Sequence, residues 1–375
     1  MLRPVRKLTK MIFIAINVMI AFIFLMGAYA KYFDPESWWV VGLFTLILPY
    51  LLAALFIFFV IWMIVNRGWA LISVSAVLLA WMPLQQLIPF RFKSDFIVGK
   101  KTDDIRIMSW NVEHFGILEH RKHPDVKNKM VDLINVYHPD IACFQEVVAG
   151  DDNRAINYVY DLVEKLGFKD YFYTYYPKLD FDEHHHFGII IFSKYPILNK
   201  KTVSYPPYDY NSTFQYIDII RAADTFRVFN IHLQSLRFSA DNIQYISNPG
   251  AKSEVDVKET KSIISKIKNG IVKRSVQAKR IKQEISMSPY PVILCGDFND
   301  VPDSYAYSVI GEGMHNAFAE KGRGIGNTFS SLAPTLRIDN IFADSSFQVQ
   351  QYIRVRKKLS DHYPVIADLH LLNPH

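Results

Sequence analysis

Residues 292–299 read Val292-Ile293-Leu294-Cys295-Gly296-Asp297-Phe298-Asn299, a short apolar run that stops at a glycine and delivers a carboxylate and an amide. Four apolar residues bounded by glycine suit a buried strand, and the polar groups at its end belong to a turn or to a site. Working outward, the same pattern recurs along the chain. Ile107-Met108-Ser109-Trp110 leads into Asn111 and Glu113, Ile141-Ala142-Cys143-Phe144 into Gln145 and Glu146, and Val228-Phe229-Asn230-Ile231 into His232. Arg337-Ile338 leads into Asp339 and Asn340, and Ser360-Asp361-His362 stands before the apolar run 364–369. Strand ends are where α/β sheets expose their sites, so these groups are expected to converge in one cleft. Strand-like runs at 188–192, 215–220 and 348–355, with helical stretches near 124–136, 154–166 and 253–287, fill out a single α/β domain on packed sheets. Gly270 is a candidate break in the last helix.

Carboxylates, amides and imidazoles without a Cys-rich cluster make a hard, oxygen-rich donor set, which points to Mg²⁺ or Mn²⁺ sooner than to a structural zinc. Taken singly, Asp297-Phe298-Asn299-Asp300 and Ser360-Asp361-His362 are ordinary turn and cap sequences. Their order is what is specific. Trp110-Asn111-Val112, Gln145-Glu146, Ile231-His232-Leu233, Gly296-Asp297-Phe298-Asn299, Arg337-Ile338-Asp339 and Ser360-Asp361-His362, in that sequence, resemble the motif series of the endonuclease/exonuclease/phosphatase superfamily over about 104–372. The run GIIIFSKYPI at 188–197 is similar to that superfamily's central strand and turn.

The resemblance implies two packed mixed β-sheets flanked by helices, a four-layer α/β sandwich, and metal-dependent hydrolysis of phosphate esters. It implies Glu146 as the principal Mg²⁺ ligand, with Asn111 and Asp361 completing the metal site and Glu113 as an associated acid. Asp297 and Asn299 would orient the attacking water and the phosphate, and His232 would contact the phosphate or protonate the leaving oxygen. Asp339 would hold His362, which would act as general base or stabilise the transition state. The chemistry asks for such parts, because an anionic phosphodiester repels hydroxide and needs both charge neutralisation and an activated water.

Three stretches, 11–30, 37–66 and 68–90, contain no charged residue and are each 20 residues or longer. A helix needs about 20 residues to cross the hydrocarbon core. Three transmembrane helices (about 11–30, 38–65 and 69–90) are therefore expected in an anchor over 1–93, followed by a linker at 94–103 and the catalytic domain at 104–375. Tyr29, Trp38 and Trp39 would lie at one interface, and Trp62 and Trp69 at the other. Positive charges before the first helix, and Arg67 between the second and third, place the N-terminus in the cytoplasm and the domain in the periplasm or outside the cell. A cleaved signal peptide over 1–30 is the rival reading and leaves the domain on the same side. No charged residue or histidine interrupts the apolar runs, so the helices read as an anchor and not as a transport pathway.

Charge sorts the functions further. Residues 1–100 hold 9 basic and 3 acidic residues, which leaves 33 of each sign in 101–375. That neutral domain lacks the basic footprint of a protein that grips long polyanions. Cys143 and Cys295 lie inside apolar runs and read as buried thiols. His184-His185-His186 tempts a zinc reading, but consecutive residues do not easily converge on one ion, and a contact with substrate is the alternative. Loops at 205–210 and 238–250 are expected near the cleft mouth, and the basic face of 253–287 is expected to be solvated, with contact to lipid head groups or substrate phosphate the alternative. The sequence thus points to a membrane-anchored, Mg²⁺-dependent phosphodiesterase acting on nucleic acid or a phospholipid head group, with no obligate protein partner. The alternative is a catalytically silent binding module of the same fold at the membrane surface.

Overall fold

Asp104–Asn111 (β1) is buried along its whole length, so both faces need cover, and the pleat sends alternate side chains to different layers. Ile105 and Ile107 enter a central core with Ile141, Cys143, Ile217, Val228, Ile293 and Cys295. Met108 and Trp110 point the other way, among Met130, Ile134, Ala142 and Phe144. The computed structural model describes residues 2–89, 91, 96–119, 122–150, 158–175, 185–204, 213–247 and 257–372. After β1 come β2 (Ile141–Gly150), β3 (Asp170–Tyr175), β4 (His185–Ser193), β5 (Ile197–Ser204), β6 (Thr213–Arg221) and β7 (Asp224–His232). Then follow β8 (Val292–Asp297), β9 (Met314–Asn316), β10 (Asp339–Asp344), β11 (Phe347–Arg354) and β12 (Val365–Leu371). One sheet has the order β11-β12-β1-β2-β4-β3 and the other β5-β6-β7-β8-β10-β9. Each carries a single parallel pair, β1 with β2 and β7 with β8, among antiparallel neighbours. The runs read from sequence are all strands here. The strands not expected from sequence, β3, β5 and β9, are all edge strands, and in β5 the exposed Lys200 and Lys201 break any apolar pattern.

The N-terminal helices differ from the expected three spans. They are α1 (Leu2–Ala28), α2 (Pro35–Leu46), α3 (Leu48–Val65), α4 (Ala70–Leu79) and α5 (Trp81–Leu87). Two stretches, Val5–Ala28 and Leu48–Val65, are long and apolar enough to cross a membrane, and the third candidate is a pair, Arg67–Leu79 and Trp81–Leu87, bent by 66°. Prolines account for both breaks. Pro49 sits in the first turn of α3, where its ring would clash with the carbonyl of Thr45 in a continuous helix, so the expected span 38–65 stops at Ile47. Pro83 does the same against the Leu79 carbonyl, and the chain bends at Ala80. α1, α3 and α4 pack through Ala21, Phe24, Ala28, Leu48, Leu55 and Ala76.

The soluble helices complete four layers. α6 (Val126–Tyr137) and α7 (Tyr158–Leu166) cover the outer face of the first sheet, with Met130, Ile134 and Leu162 against Phe144 and Phe192. The next helices are α8 (Ala240–Ser247), α9 (Val257–Ser286), α10 (Tyr305–Gly311) and α11 (Ala317–Lys321). α9 and α10 cover the second sheet, with Ala278, Ile281 and Ile310 against Phe229, Ile231 and Leu294. Gly270 does not break α9; a Cβ there would come within 2.6 Å of the Leu236 side chain, so glycine permits a close approach. The loop expected at 238–250 contains α8, started by Ser239, whose hydroxyl accepts from the Asn242 N–H at 3.3 Å. The loop at 205–210, His184, and the first residues of the helices expected at 154–166 and 253–287 lie outside the described residues.

α9 also meets the N-terminal helices, where part of its basic face is paired. Lys279 Nζ lies 2.8 Å from Asp34 Oδ2 and 3.3 Å from Glu36 Oε1, and Lys268 lies over the Trp39 ring. The described part of the expected linker is tied down as well. Gln351 exchanges two hydrogen bonds with the Ile97 backbone, and Arg106 donates to the Val98 carbonyl.

Candidate active site

The alternation that fills the central core also builds the site. Continuing the inward positions of β1 beyond Ile107 gives Ser109 and Asn111; continuing those of β7 beyond Val228 gives Asn230 and His232. In β8 the series Ile293, Cys295 ends at Asp297, and in β10 Ile341 is preceded by Asp339. Asp297 pairs in register with His232 on one side and Asp339 on the other. The polar groups are therefore the open end of the layer between the two sheets. Glu146 breaks the rule, since the position after the inward Gln145 should face outward. The ladder between β2 and β4 shifts register between Phe144 and Val147, and Glu146 takes a φ of 55°. This bulge turns its carboxylate to the same edge.

The edge is closely connected. His362 Nδ1 and Asp339 Oδ2 are 2.9 Å apart, and His362 Nε2 is 3.7 Å from Asp297 Oδ2. His232 Nε2 lies 3.6 Å from Asp297 Oδ2 and 3.7 Å from Glu146 Oε1. Asn299 donates from its backbone to Asp297 Oδ1 at 2.8 Å and from its side chain to the Leu233 carbonyl at 3.0 Å. Asn111 Nδ2 donates to Asp297 Oδ2 at 3.2 Å, and Glu113 Oε2 accepts from the Asp361 N–H at 2.9 Å. Glu146 and Asp361 keep 21% and 33% of their side-chain surface exposed, so the edge opens to solvent on their side.

Burial sets the electrostatics. It pushes Glu146 up to about 7, against the pull of His362 and Asn111 and with Asp361 and Glu113 adding to the rise. It pushes Asp297 up to about 7 as well, against the attraction of His362. Burial lowers His232 to about 3, helped by the positive field of His362 and Arg237, and lowers His114 to about 4. Burial would depress His362 too, but the Asp339 and Asp297 carboxylates hold it well above the ordinary histidine range. Among the described residues no Lys or Arg reaches within 4.0 Å of Glu146, Asp297 or Asp339; only histidines do. The edge is thus a buried excess of carboxylate oxygens, an environment that a divalent cation fits. Carboxylate oxygens of Asp297 and Asp339 and a His362 ring nitrogen also lie within 4.8 Å of one another.

All nine residues singled out from sequence, Asn111, Glu113, Glu146, His232, Asp297, Asn299, Asp339, Asp361 and His362, are brought to this edge. Further groups support them from below and beside the site. Gln145 donates to Asn230 Oδ1 at 2.7 Å, and Asn230 donates to the Phe144 and Ile190 carbonyls at 3.0 and 2.9 Å, joining the two sheets beneath the site. The signal was present, because Asn230 is a polar residue at an inward strand position. Thr328 Oγ1 accepts from the Ile338 and Asp339 N–H groups, and His114 Nδ1 lies 3.9 Å from Glu146 Oε2. Thr328 stands well before the Arg337-Ile338-Asp339 motif, whereas His114 directly follows Glu113 and its contact with Glu146 depends on how the two strands pair. His186 lies apart from the metal-type group, stacked on Tyr175 at 4.0 Å. A cavity of about 660 Å³ opens elsewhere, at the seam between the N-terminal helices and the sheet domain, among Lys31, Tyr32, Gln86, Tyr307 and His315.

Comparison with known proteins follows the same edge. Residues 108–362 match the model of the endonuclease/exonuclease/phosphatase family. The chain belongs to this family. Membership makes it a metal-dependent hydrolase of phosphate ester bonds, and the matched span runs from β1 to His362. Residues 9–87 match a second family model, a domain of unknown function. No curated protein matches the chain. Among solved structures, the catalytic domain of human Nocturnin with bound sulfate is 16% identical, covers 76% of this chain and 98% of its own, and has a TM-score of 0.52. An endonuclease/exonuclease/phosphatase from Beutenbergia cavernae is 17% identical over 72% of each chain, with a TM-score of 0.50. These likenesses concern the fold.

Proposed function

We propose that the protein is a membrane-anchored, Mg²⁺-dependent phosphodiesterase, with Mn²⁺ the alternative ion, whose catalytic domain over 104–375 sits on the outer side of the membrane. The observation that carries this reading is the meeting of a buried Asp–His pair, 2.9 Å apart, with a cation-poor group of carboxylates on one edge. The positive charges at the N-terminus and at Arg67 support a cytoplasmic N-terminus and a periplasmic or extracellular domain.

Glu146 is assigned as the principal ligand, with Asn111, Asp361 and Glu113 completing or tuning the site; all are hard oxygen donors carried on separate elements. Asp297, Asp339 and His362 are assigned to proton handling instead, because the Asp339 carboxylate already engages His362 Nδ1. Mg²⁺ bound here supplies neutralisation of the negative charge that grows on the phosphate oxygens.

The chain's own groups do the rest. Asp339 accepts from Nδ1 and so directs Nε2 of His362 toward Asp297 and the cleft, where it takes up a proton or donates to the transition state. Asp297, held by Asn299 and Asn111, orients the attacking water. His232, which burial keeps neutral, presents a ring N–H to the phosphate, and the Asn299 side chain steadies Asp297 beside it.

The test is hydrolysis of bis(p-nitrophenyl) phosphate by the full-length protein in detergent, with Mg²⁺, with chelator, and with His362→Ala. Turnover that needs the metal and disappears in the variant is the expected result. A folded protein with no metal-dependent turnover, or turnover indifferent to His362, overturns the reading.

A further inference from the structure

Three segments that lead to or from the site residues rest directly on the anchor. Gly42 of α2 approaches α9 so closely that a Cβ would lie 2.9 Å from Ile271 Cδ1. The following turns of α9 hold two site loops. Arg274 donates to the Gln234 carbonyl and to Asp300 Oδ2, each at 3.0 Å, and Gln277 Oε1 accepts from the Gln234 N–H at 2.9 Å. Gln234 is two residues beyond His232, and Asp300 follows Asn299. Phe33, Pro35 and Thr45 of the anchor line a crevice with Asp300, Ser304 and Tyr305. Arg337, two residues before Asp339, donates to the carbonyls of Gln86 and Leu87 at the end of α5.

With Val5–Ala28 and Leu48–Val65 read as spans, the pieces making these contacts fall at the bilayer surface. They follow the ends of apolar helices and expose Tyr32 and Trp38 (72% and 59%) beside Lys31, as an interfacial belt does. The loops after β7 and β8 and the entry to β10 are therefore held at head-group height by packed contacts, not by a loose tether. A mouth at that height meets lipid phosphates that diffuse in the same plane. A long nucleic acid would have to bring its charged backbone down to the bilayer against a region carrying 33 residues of each sign.

We propose that the substrate is a phosphodiester carried by a lipid of the bilayer that holds the anchor; this rests on the phosphodiesterase reading above and names its substrate. The oxygen of water bonds to phosphorus, one P–O ester bond breaks, and the departing oxygen takes up a proton. The products are a phosphomonoester and an alcohol, one of which keeps the acyl chains.

The experiment uses the full-length protein reconstituted with Mg²⁺ into vesicles of phosphatidylcholine, phosphatidylethanolamine, phosphatidylglycerol and sphingomyelin, in ¹⁸O-labelled water, with products read by mass spectrometry. Protein-free vesicles of the same lipids in deuterated form are added, and bis(p-nitrophenyl) phosphate and DNA oligonucleotides are assayed in parallel. The expected result is ¹⁸O in a phosphomonoester from lipids of the protein-containing vesicles alone. Gly42→Leu, which forces a side chain into Ile271, lowers lipid cleavage about tenfold relative to aryl-diester cleavage by shifting the mouth. Aryl-diester or DNA cleavage with all lipids intact, or equal cleavage in protein-free vesicles, overturns the lipid assignment. Failure of every substrate in the folded protein overturns the phosphodiesterase reading itself.

Discussion

Replacing Arg337 with Met in the full-length chain tests how far the N-terminal helices are built into the sheets that carry the site. The guanidinium is 1% exposed, lies 3.9 Å over the Phe318 ring centroid, and donates to Leu87 O at 3.0 Å, to Gln86 O, and to Ile325 O at 2.9 Å. The substitution leaves three carbonyls without their donor, and each buried unpaired group costs about 1–3 kcal/mol. The Gln86 and Ile325 carbonyls are partly open to water, relief of the buried charge offsets part of the rest, and the Met side chain retains some of the apolar packing, so the net loss is about 2–4 kcal/mol. That is a large share of the roughly 5–15 kcal/mol that holds a typical domain. The loss falls next to the site, because the Ile338 and Asp339 N–H groups both donate to Thr328 Oγ1, at 2.9 and 3.0 Å. Hydrogen exchange in detergent reads it directly. At 1.4 kcal/mol per decade, protection at Ile338 and Asp339 should fall by about one and a half to three powers of ten. Arg227→Met, which breaks a buried pair with Asp218 away from the anchor, is the control and should leave those two amides less affected. Unchanged protection at Ile338 and Asp339 in Arg337→Met would refute the idea that the anchor braces the site.

Four further outcomes are expected. His362→Ala should lower metal-dependent turnover by about 10²- to 10⁴-fold without loss of the folded state, and a smaller effect removes it from proton handling. Mg²⁺ at a hundred times its dissociation constant should stabilise the wild type by about 2.7 kcal/mol in a thermal shift assay, and Glu146→Gln should lose most of that gain; an undiminished gain would mean that Glu146 is not a ligand. Burial pushes Asp303 from 3.8 up to about 8, against Arg337 and Lys31, so the folded state binds its proton more tightly than the unfolded chain does. Its contribution is fully present below about pH 4 and is lost as pH rises to about 8, so Asp303→Asn should flatten the decline of stability across that window, and an unaltered pH curve contradicts this. Asn230→Ala should destabilise the domain by about 2–4 kcal/mol, since it strands Gln145 and the Phe144 and Ile190 carbonyls; a change within about 0.5 kcal/mol would show that water replaces the amide.

Much of the protein is determined by its sequence because it depends on local periodicity and local chemistry. Apolar runs ending in Asn111, His232 and Asp297 mark strands and their polar ends, and the order of the motifs marks the family. The charge-free stretches mark apolar helices, although length and charge alone do not show the breaks at Pro49 and Pro83. What the chain order could not convey is which groups face one another across the two sheets. Strand alternation alone would aim Glu146 away from the site; only the bulge between β2 and β4, a property of the paired strands, turns it inward. The Asp339–His362 contact and the Gln145–Asn230 bridge join residues far apart in sequence, as does the latch from Arg337 to Gln86 and Leu87. Each depends on the packing of distant surfaces, so its distances and burial exist only once the sheets and the anchor have closed together.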